Sequence, residues 1–481
     1  MTAFTPQPRP CWIAGQPQQG VRELAVHHPY DGTEIASVAV PGAEQIERAV
    51  AAAAAVGKEF RRSPAHLRAA ALDHVSRGLA ERAEEIAELI TAENGKPLRW
   101  SAAEVNRAVS TFRFAAEEAR RFTGELQRLD TDPAAEGRLA MIRRVPRGPV
   151  LGIAPFNFPL NLVAHKVAPA IAVGAPIVVK PAPRTPLSAL VLGELLAETE
   201  LPAGAFSVLP VGNEETVALV KDERLPVVSF TGSGPVGWSI MDVAPRKHVV
   251  LELGGNAAAV VCADWTDLDF AARRIATFGN YQAGQSCIAV QRVLVERAVA
   301  EDFLPRLLDA VRELRTGDPH DPDVEVGPLV DEAAAERVER WIAEATAAGA
   351  KLLVGGGRDG ASVEPTVLTN VPTDTKVWAE EVFGPVLAVS TVDGVDKALA
   401  LVNDSAYGLQ AGLFTHDVRV AFRAAAELEV GGLIVGDVPS YRADQMPYGG
   451  VKGSGFGREG LRSAMTDLTE ERVTVLTGIE F

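Results

Sequence analysis

Apolar residues recur every three or four positions between residues 43 and 122. They do so in AEQIERAVAAAAAVGKEF, in a long stretch from Ala65 to Gly95, and in SAAEVNRAVSTFRFAAEEARRF. That spacing predicts amphipathic helices, each closing near a glycine or a turn residue. Residues 126–146, LQRLDTDPAAEGRLAMIRRVP, break the pattern and read as a polar loop and a short strand. From Ala175 onward strand and helix patterns alternate, through APIVVKPA, PLSALVLGELLAETE, AFSVLP, NEETVALVKD, PVVSF, GPVGWSIMDVA and KHVVLELGG. Alternation of this length predicts βαβ units around a parallel sheet, with ligands at the carboxyl ends of its strands. Lys180 and a glycine-rich turn fall there. A second α/β block covers residues 255–455, with strands in AAVVCAD and CIAVQRVLVE and near 386–392 and 432–435, and helices around 299–314 and 331–348. The last stretch, DLTEERVTVLTGIEF, alternates like a strand but has no evident partner nearby. It is expected to complete another sheet, such as one in a neighbouring subunit.

With 481 residues the chain is expected to form two or three domains. No apolar run reaches the ~18 residues that cross a bilayer, and the start MTAFTPQPRP lacks the features of a secretory signal. The three cysteines, Cys11, Cys262 and Cys287, form no CxxC pair. Neither a disulfide framework nor a metal site is therefore expected, and a reducing cytoplasm is. A net charge of −16 argues against nucleic-acid partners. It leaves an anionic small molecule open, because a few arginines can reverse the potential inside a pocket.

The candidate chemistry begins with VVSFTGSGPVGWSI, in which Gly232, Gly234 and Gly237 spell GxGxxG. Glu252 follows Gly232 by 20 residues, the spacing of a dinucleotide fingerprint whose acid holds a ribose. The same residue, at a strand end before two glycines, could instead do chemistry. Cys287 in YQAGQSCIAVQRV follows small polar residues, so it is expected at a strand entrance; Cys262 in AVVCAD reads as core. Asn157, between aromatic and proline residues in APFNFPLNL, reads as a turn residue or as a fixed amide donor for an oxyanion.

Taken together, Asn157 in PFNFP, Lys180 in VVKPA, FTGS at 230–233, Glu252 in ELGG, Cys287 in GQSC and Glu381 in EEVFGP resemble the aldehyde dehydrogenase superfamily in order and spacing. MPYGGVKGSGFGREG resembles its carboxy-terminal signature, and the resemblance spans roughly residues 20–470. It implies an α/β protein of aldehyde dehydrogenase-like fold. A Rossmann-type, NAD(P)-binding parallel-sheet domain would cover 1–125 and 147–253, and an α/β catalytic domain 254–464. A small β oligomerisation arm would comprise 126–146 and 465–481, giving a homodimer or homotetramer.

The resemblance implies Cys287 as nucleophile, Asn157 as oxyanion donor and Glu252 as general base, which demotes the GxGxxG to coincidence. Lys166 would belong to a proton relay, with a helix-surface lysine the alternative. For NAD or NADP it implies Lys180 and Pro183 at the adenosine ribose, and Gly232, Ser233 and Gly237 near the pyrophosphate. Trp238 would line the cleft, Glu381 would meet the nicotinamide ribose, and Phe383 would pack beside the ring. Relatives often carry an acid where Pro183 stands; without it a 2′-phosphate meets no repulsion, and Arg184 would attract one. Arg462 lies at or near a relay glutamate of some relatives. The group of lactaldehyde, phosphonoacetaldehyde and succinic semialdehyde dehydrogenases is the nearest in pattern, and Arg442, Arg107 and Arg292 are candidates to hold a substrate anion. Alternatives are a CoA-acylating enzyme, against which Glu252 argues, and one acting on small neutral aldehydes such as lactaldehyde.

Overall fold

A computed structural model describes residues 8–478. Residues 1–7 and 479–481, which belong to the expected amino-terminal start and terminal arm, lie outside the described residues. The helical spacing of 43–122 becomes four helices: α1 (Ala43–Phe60), α2 (Ala65–Glu81), α3 (Ala83–Asn94) and α4 (Leu98–Arg121). The long expected helix breaks at Arg82. Gly95, in the left-handed region at φ +75°, closes α3 by returning its N–H to the Thr91 carbonyl. The apolar stripes of α2 (Leu72, Val75, Leu79) and α4 (Val105, Phe112) are fully buried in one core. Each such side chain contributes roughly 1.5–3 kcal/mol by leaving water.

Five parallel strands form the centre of an eight-stranded sheet: Val150–Ile153, Ile177–Lys180, Phe206–Val208, Val227–Thr231 and His248–Glu252. In space the third lies beside the second, the second beside the first, and the first beside the fourth. This is the doubly wound order, and its switch point lies between Val150–Ile153 and Val227–Thr231. Crossovers are made by α5 (Asn161–Val173), α6 (Leu187–Ala197), α7 (Asn213–Lys221) and α8 (Gly234–Val243). Two antiparallel additions were not expected. Cys11–Ile13 with Gln16–Gln18 covers one edge, and Gly455–Phe456 covers the other beside Glu252.

A second, seven-stranded sheet carries Ala258–Val261 and Arg292–Glu296 at its centre, with α9 (Leu268–Asn280) between them. Next come α10 (Arg297–Arg312) and α11 (Glu332–Ala347), close to their expected bounds. The segment 126–146 is more ordered than a loop. Glu125–Arg128 and Arg138–Pro146 pair, and Thr469–Thr477 joins the longer strand over its full length. The terminal strand thus finds its partner within its own chain, a pairing hidden by some 330 residues of intervening sequence. Among the described residues no helix is long and apolar enough to cross a membrane.

Two buried glutamates fix the crossover helices to the helical layer. Glu93 accepts the Leu187 and Ser188 N–H groups at the start of α6 (2.7 and 3.0 Å). Glu104 accepts those of Leu160 and Asn161 at the start of α5 (2.9 and 3.0 Å) and pairs with the buried Lys96. Carboxylates there compensate unpaired helix donors. Lys96→Met leaves Glu104 as a buried charge without its cation and is expected to cost on the order of 3–5 kcal/mol. A lowered urea midpoint, partly restored in Lys96→Met/Glu104→Gln, checks this.

Candidate active site

The carboxyl ends of the doubly wound strands face the second sheet across a cleft of about 980 Å³. Eleven of the residues singled out in the sequence line it: Asn157, Lys180, Pro183, Gly232, Ser233, Glu252, Cys287, Glu381, Phe383, Arg442 and Arg107.

Cys287 sits in the loop after α9, five residues before the strand Arg292–Glu296. Gln282 and Ala283 in that loop hold left-handed backbones (φ 53° and 55°), a conformation that is costly for residues with a Cβ. A set of amides holds it. Gln282 Nε2 donates to the Asn157 carbonyl (2.9 Å), Asn157 Nδ2 to the Gln285 carbonyl (3.0 Å), and Gln285 Nε2 to the Gln282 carbonyl (3.1 Å). Asn157 is thereby tied to the loop that carries the thiol, and its amide lines the same cleft. The two glycines of ELGG give the neighbours room: a Cβ at Gly255 would stand 2.2 Å from the Cys287 carbonyl oxygen, and one at Gly254 2.4 Å from Glu381 Oε2. Burial pushes the Cys287 thiol up to about 12, against the opposing hydrogen bond from Tyr448, whose hydroxyl lies 2.9 Å from Sγ.

Glu252 is buried, and neither carboxyl oxygen has a hydrogen-bond partner. Burial and then the nearby Glu459 push it well above the usual carboxylate range. Burial acts on Glu459 too, but Lys166 and Arg442 outweigh it and hold that carboxyl at about 2. Lys166 is fully enclosed on α5, which removes the surface-lysine alternative. Its ammonium donates to Thr231 Oγ1 (2.7 Å) and Ser229 Oγ (3.2 Å) and stands 3.5 Å from Glu459. Arg442 donates to Glu459 Oε2 (2.9 Å) and lies over the Tyr448 ring at 3.8 Å.

The three anion candidates separate. Arg107 donates to Asp444 (2.8 Å) while its Nε is buried and unpartnered, and the Arg442 Nε is likewise unpartnered. Arg292 does not reach the cleft. Its guanidinium is buried against the carbonyls of Asn256, Leu401 and Val402, where it binds backbone in place of substrate. Sequence reasoning missed Tyr448, Glu459 and Arg274, a cleft residue that donates from Nε and Nη2 to the two Asp437 carboxylate oxygens. Tyr448 and Glu459 lie inside the quoted MPYGG and GREG, so the signal was present. Arg462 is a surface residue paired with Glu118; the acid beside Lys166 comes three residues earlier.

The other half of the cleft suits a dinucleotide. Val217 and Val220 of α7 and Val236, Ile240 and Val243 of α8 give this part of the cleft an apolar lining. Lys180 borders it, lowered to about 8 by burial. The Ser233 side chain makes no cap at the start of α8, and around Gly234 there is open space, an arrangement compatible with an anion at this helix start. Gly237 serves packing: a Cβ there would meet Leu253 at 2.4 Å. Trp238 is 40% exposed and lies off the cleft, because the helical turn directs it away from the face that Val236 and Ile240 present. Glu381 accepts the Gly255 N–H (2.8 Å) and is raised to about 7 by burial. Phe383 stands edge-on to Phe156 at 6.0 Å. Arg184, beside Pro183, is paired with Asp331 at 2.6 Å.

Residues 14–474 match the model of the aldehyde dehydrogenase family. The chain is 43% identical over 470 residues to a 3-sulfolactaldehyde dehydrogenase of Priestia aryabhattai, covering 97% of each protein. It is 44% identical to the crystal structure of an aldehyde dehydrogenase of Physcomitrella patens in complex with the reaction product succinate, with a TM-score of 0.97 over 99% of both chains. It is 34% identical to an NADP-dependent glyceraldehyde-3-phosphate dehydrogenase of Bacillus halodurans complexed with NADP, at a TM-score of 0.94 over 98% of this chain and 100% of that one.

A thiol raised to about 12 reacts through a small thiolate fraction that grows tenfold per pH unit. Iodoacetamide labelling of Cys287 in the ligand-free protein, read at that peptide by mass spectrometry, is expected to climb from pH 7 to pH 9.5 without a plateau. A plateau near pH 8 would contradict the burial account.

Proposed function

The chain belongs to the aldehyde dehydrogenase family, and from that premise we propose that it oxidises a small anionic aldehyde to the carboxylic acid through a thioester on Cys287. The observation that carries the reading is the meeting of a thiol, an unpartnered buried carboxyl and a fixed amide at the mouth of a dinucleotide slot. A bound NAD or NADP supplies the acceptor for the hydride that leaves the substrate carbon. The residues do the rest. Cys287, as thiolate, attacks the aldehyde carbon to give a thiohemiacetal. The Asn157 amide donates to the oxyanion that develops. After oxidation Glu252 takes a proton from water, and the hydroxide releases the acid from the thioester. Lys166, linked to Glu459, gives that proton a route away from the cleft.

The anionic substrate is supported by the unpartnered Nε–H groups of Arg107 and Arg442 in the same cleft. Three relatives support it by name, with a sulfonated aldehyde, a dicarboxylate product and a phosphorylated aldehyde, while the names of lactaldehyde dehydrogenases among the relatives support the neutral alternative. Absence of an acid at Pro183 supports acceptance of NADP beside NAD, although Arg184 is already engaged by Asp331. Three unpaired cysteines support a cytoplasmic setting. A homodimer or homotetramer is supported by Leu126, Val473 and Val475, which are exposed on the three-stranded arm.

Purified protein is expected to reduce NAD and NADP with succinic semialdehyde or phosphonoacetaldehyde and to sediment as a dimer or tetramer. Cys287→Ala should abolish turnover, and Asn157→Ala should cost about 10²–10³ in kcat. Arg107→Ala should raise KM for the anionic aldehydes about tenfold or more and leave lactaldehyde unchanged. Lactaldehyde as the best substrate would discard the anion site, and acyl-CoA formation would replace hydrolysis with the acylating alternative.

A further inference from the structure

A cluster of metal-ligand type lies outside the cleft. His28 follows the strand Arg22–His27 and is buried beside α3, while Asp318 and His320 come from the loop between α10 and α11. One ligand atom from each of the three lies within 4.8 Å of the other two. Among the described residues this is the one such grouping of histidine, cysteine and acidic side chains. We propose that His28, Asp318 and His320 bind a divalent ion of the Zn²⁺ class.

The tautomer of His28 supports it. Its Nδ1 lies 2.9 Å from the Ala92 carbonyl, which can only accept, so Nδ1 carries the proton and Nε2 presents a lone pair. Histidines that ligate metals are commonly oriented in this way by a carbonyl behind the ring. The His28 and His320 rings meet edge-on with centroids 5.2 Å apart. Asp318 Oδ1 lies 3.4 Å from His320 Nδ1, and Glu88 of α3 lies 3.8 Å from its Nε2. Ligands of a tetrahedral ion with bonds of ~2.0–2.2 Å stand roughly 3.3–3.6 Å apart, so about an ångström of side-chain adjustment closes the set. Asp318 and His320 are partly exposed and can make that adjustment. Two imidazoles and a carboxylate favour zinc, cobalt or nickel over magnesium or calcium, which prefer oxygen.

An ion here would join two segments far apart in sequence: residue 28, itself hydrogen-bonded to Ala92 of α3, and the 313–331 loop. That loop also meets α4, where Trp100 Nε1 donates to the Glu325 carbonyl (3.1 Å) and the Leu98 N–H to Pro319 (3.0 Å). The role is a structural clamp that takes no part in turnover.

The test uses full-length Cys287→Ala protein, so that the cleft thiol cannot supply a rival ligand, after treatment with a chelator. Titration with Co²⁺ is expected to give visible ligand-field bands that saturate at one ion per chain, displaced by Zn²⁺, and Zn²⁺ should raise the melting temperature. Adding His320→Asn, at a partly exposed position, should weaken binding at least tenfold and remove the thermal shift. Asp318→Asn should weaken it in the same direction and serves if the histidine variant is unstable. Absence of Co²⁺ bands, or equal binding by folded variants at both positions, would overturn the site.

Discussion

Two carboxyl groups buried in one cleft cannot both carry charge without their own cations, and this constraint organises the centre of the molecule. Glu459 has the cations, with Lys166 on one side and Arg442 on the other, and stays ionised. Glu252 has none within hydrogen-bond reach and holds its proton more tightly than a free carboxylate. In the proposed role of general base, Glu252 gains its active form as pH rises. The same pairing sets the thiol's surroundings. Arg442 cannot bind Glu459 and lie over Tyr448 without fixing the hydroxyl that reaches Cys287. Charge balance, the proton affinity of Glu252 and the position of the Cys287 thiol are therefore aspects of one buried network.

That network is held by packing and by amide hydrogen bonds. Asn157 follows the strand Val150–Ile153, and Cys287 precedes the strand Arg292–Glu296 of the other sheet. The Gln282, Gln285 and Asn157 amides tie the two loops together and hold the left-handed backbone at Gln282 and Ala283. Behind them, Glu93 and Glu104 fix the starts of α6 and α5. In the proposed reaction a misplacement of one ångström between thiol and amide donor would cost about two orders of magnitude in rate, which such rigidity would prevent.

The parallel strands and crossover helices of 175–253 were legible in the sequence because each is a local pattern with a strong period. The switch point followed once their order was known, and with it the positions of Lys180, Ser233 and Glu252. What escaped depended on contacts that no local pattern records. The terminal strand pairs with a segment some 330 residues upstream. Trp238 and Ile240 belong to one short helix, yet only the second faces the cleft. Arg292 follows Cys287 closely in sequence, but its strand buries it among backbone carbonyls. Tyr448 and Glu459 were within recognised motifs, and their roles emerged only when the chain brought them to Cys287 and Lys166. Residue type told which chemistry was available; the fold decided which side chains share a space.

The covalent intermediate provides the most direct test. If Cys287 forms a thioester that Glu252 helps water to break, Glu252→Gln should form it and release it slowly. Intact-mass measurement of this variant after mixing with NAD or NADP and succinic semialdehyde is expected to show one succinyl group per chain, mapped to Cys287. The group should be absent when the cofactor is omitted and absent in Cys287→Ala. No adduct in Glu252→Gln, together with turnover retained by Cys287→Ala, would contradict the account at its centre and return Glu252 to the role of a cofactor ligand.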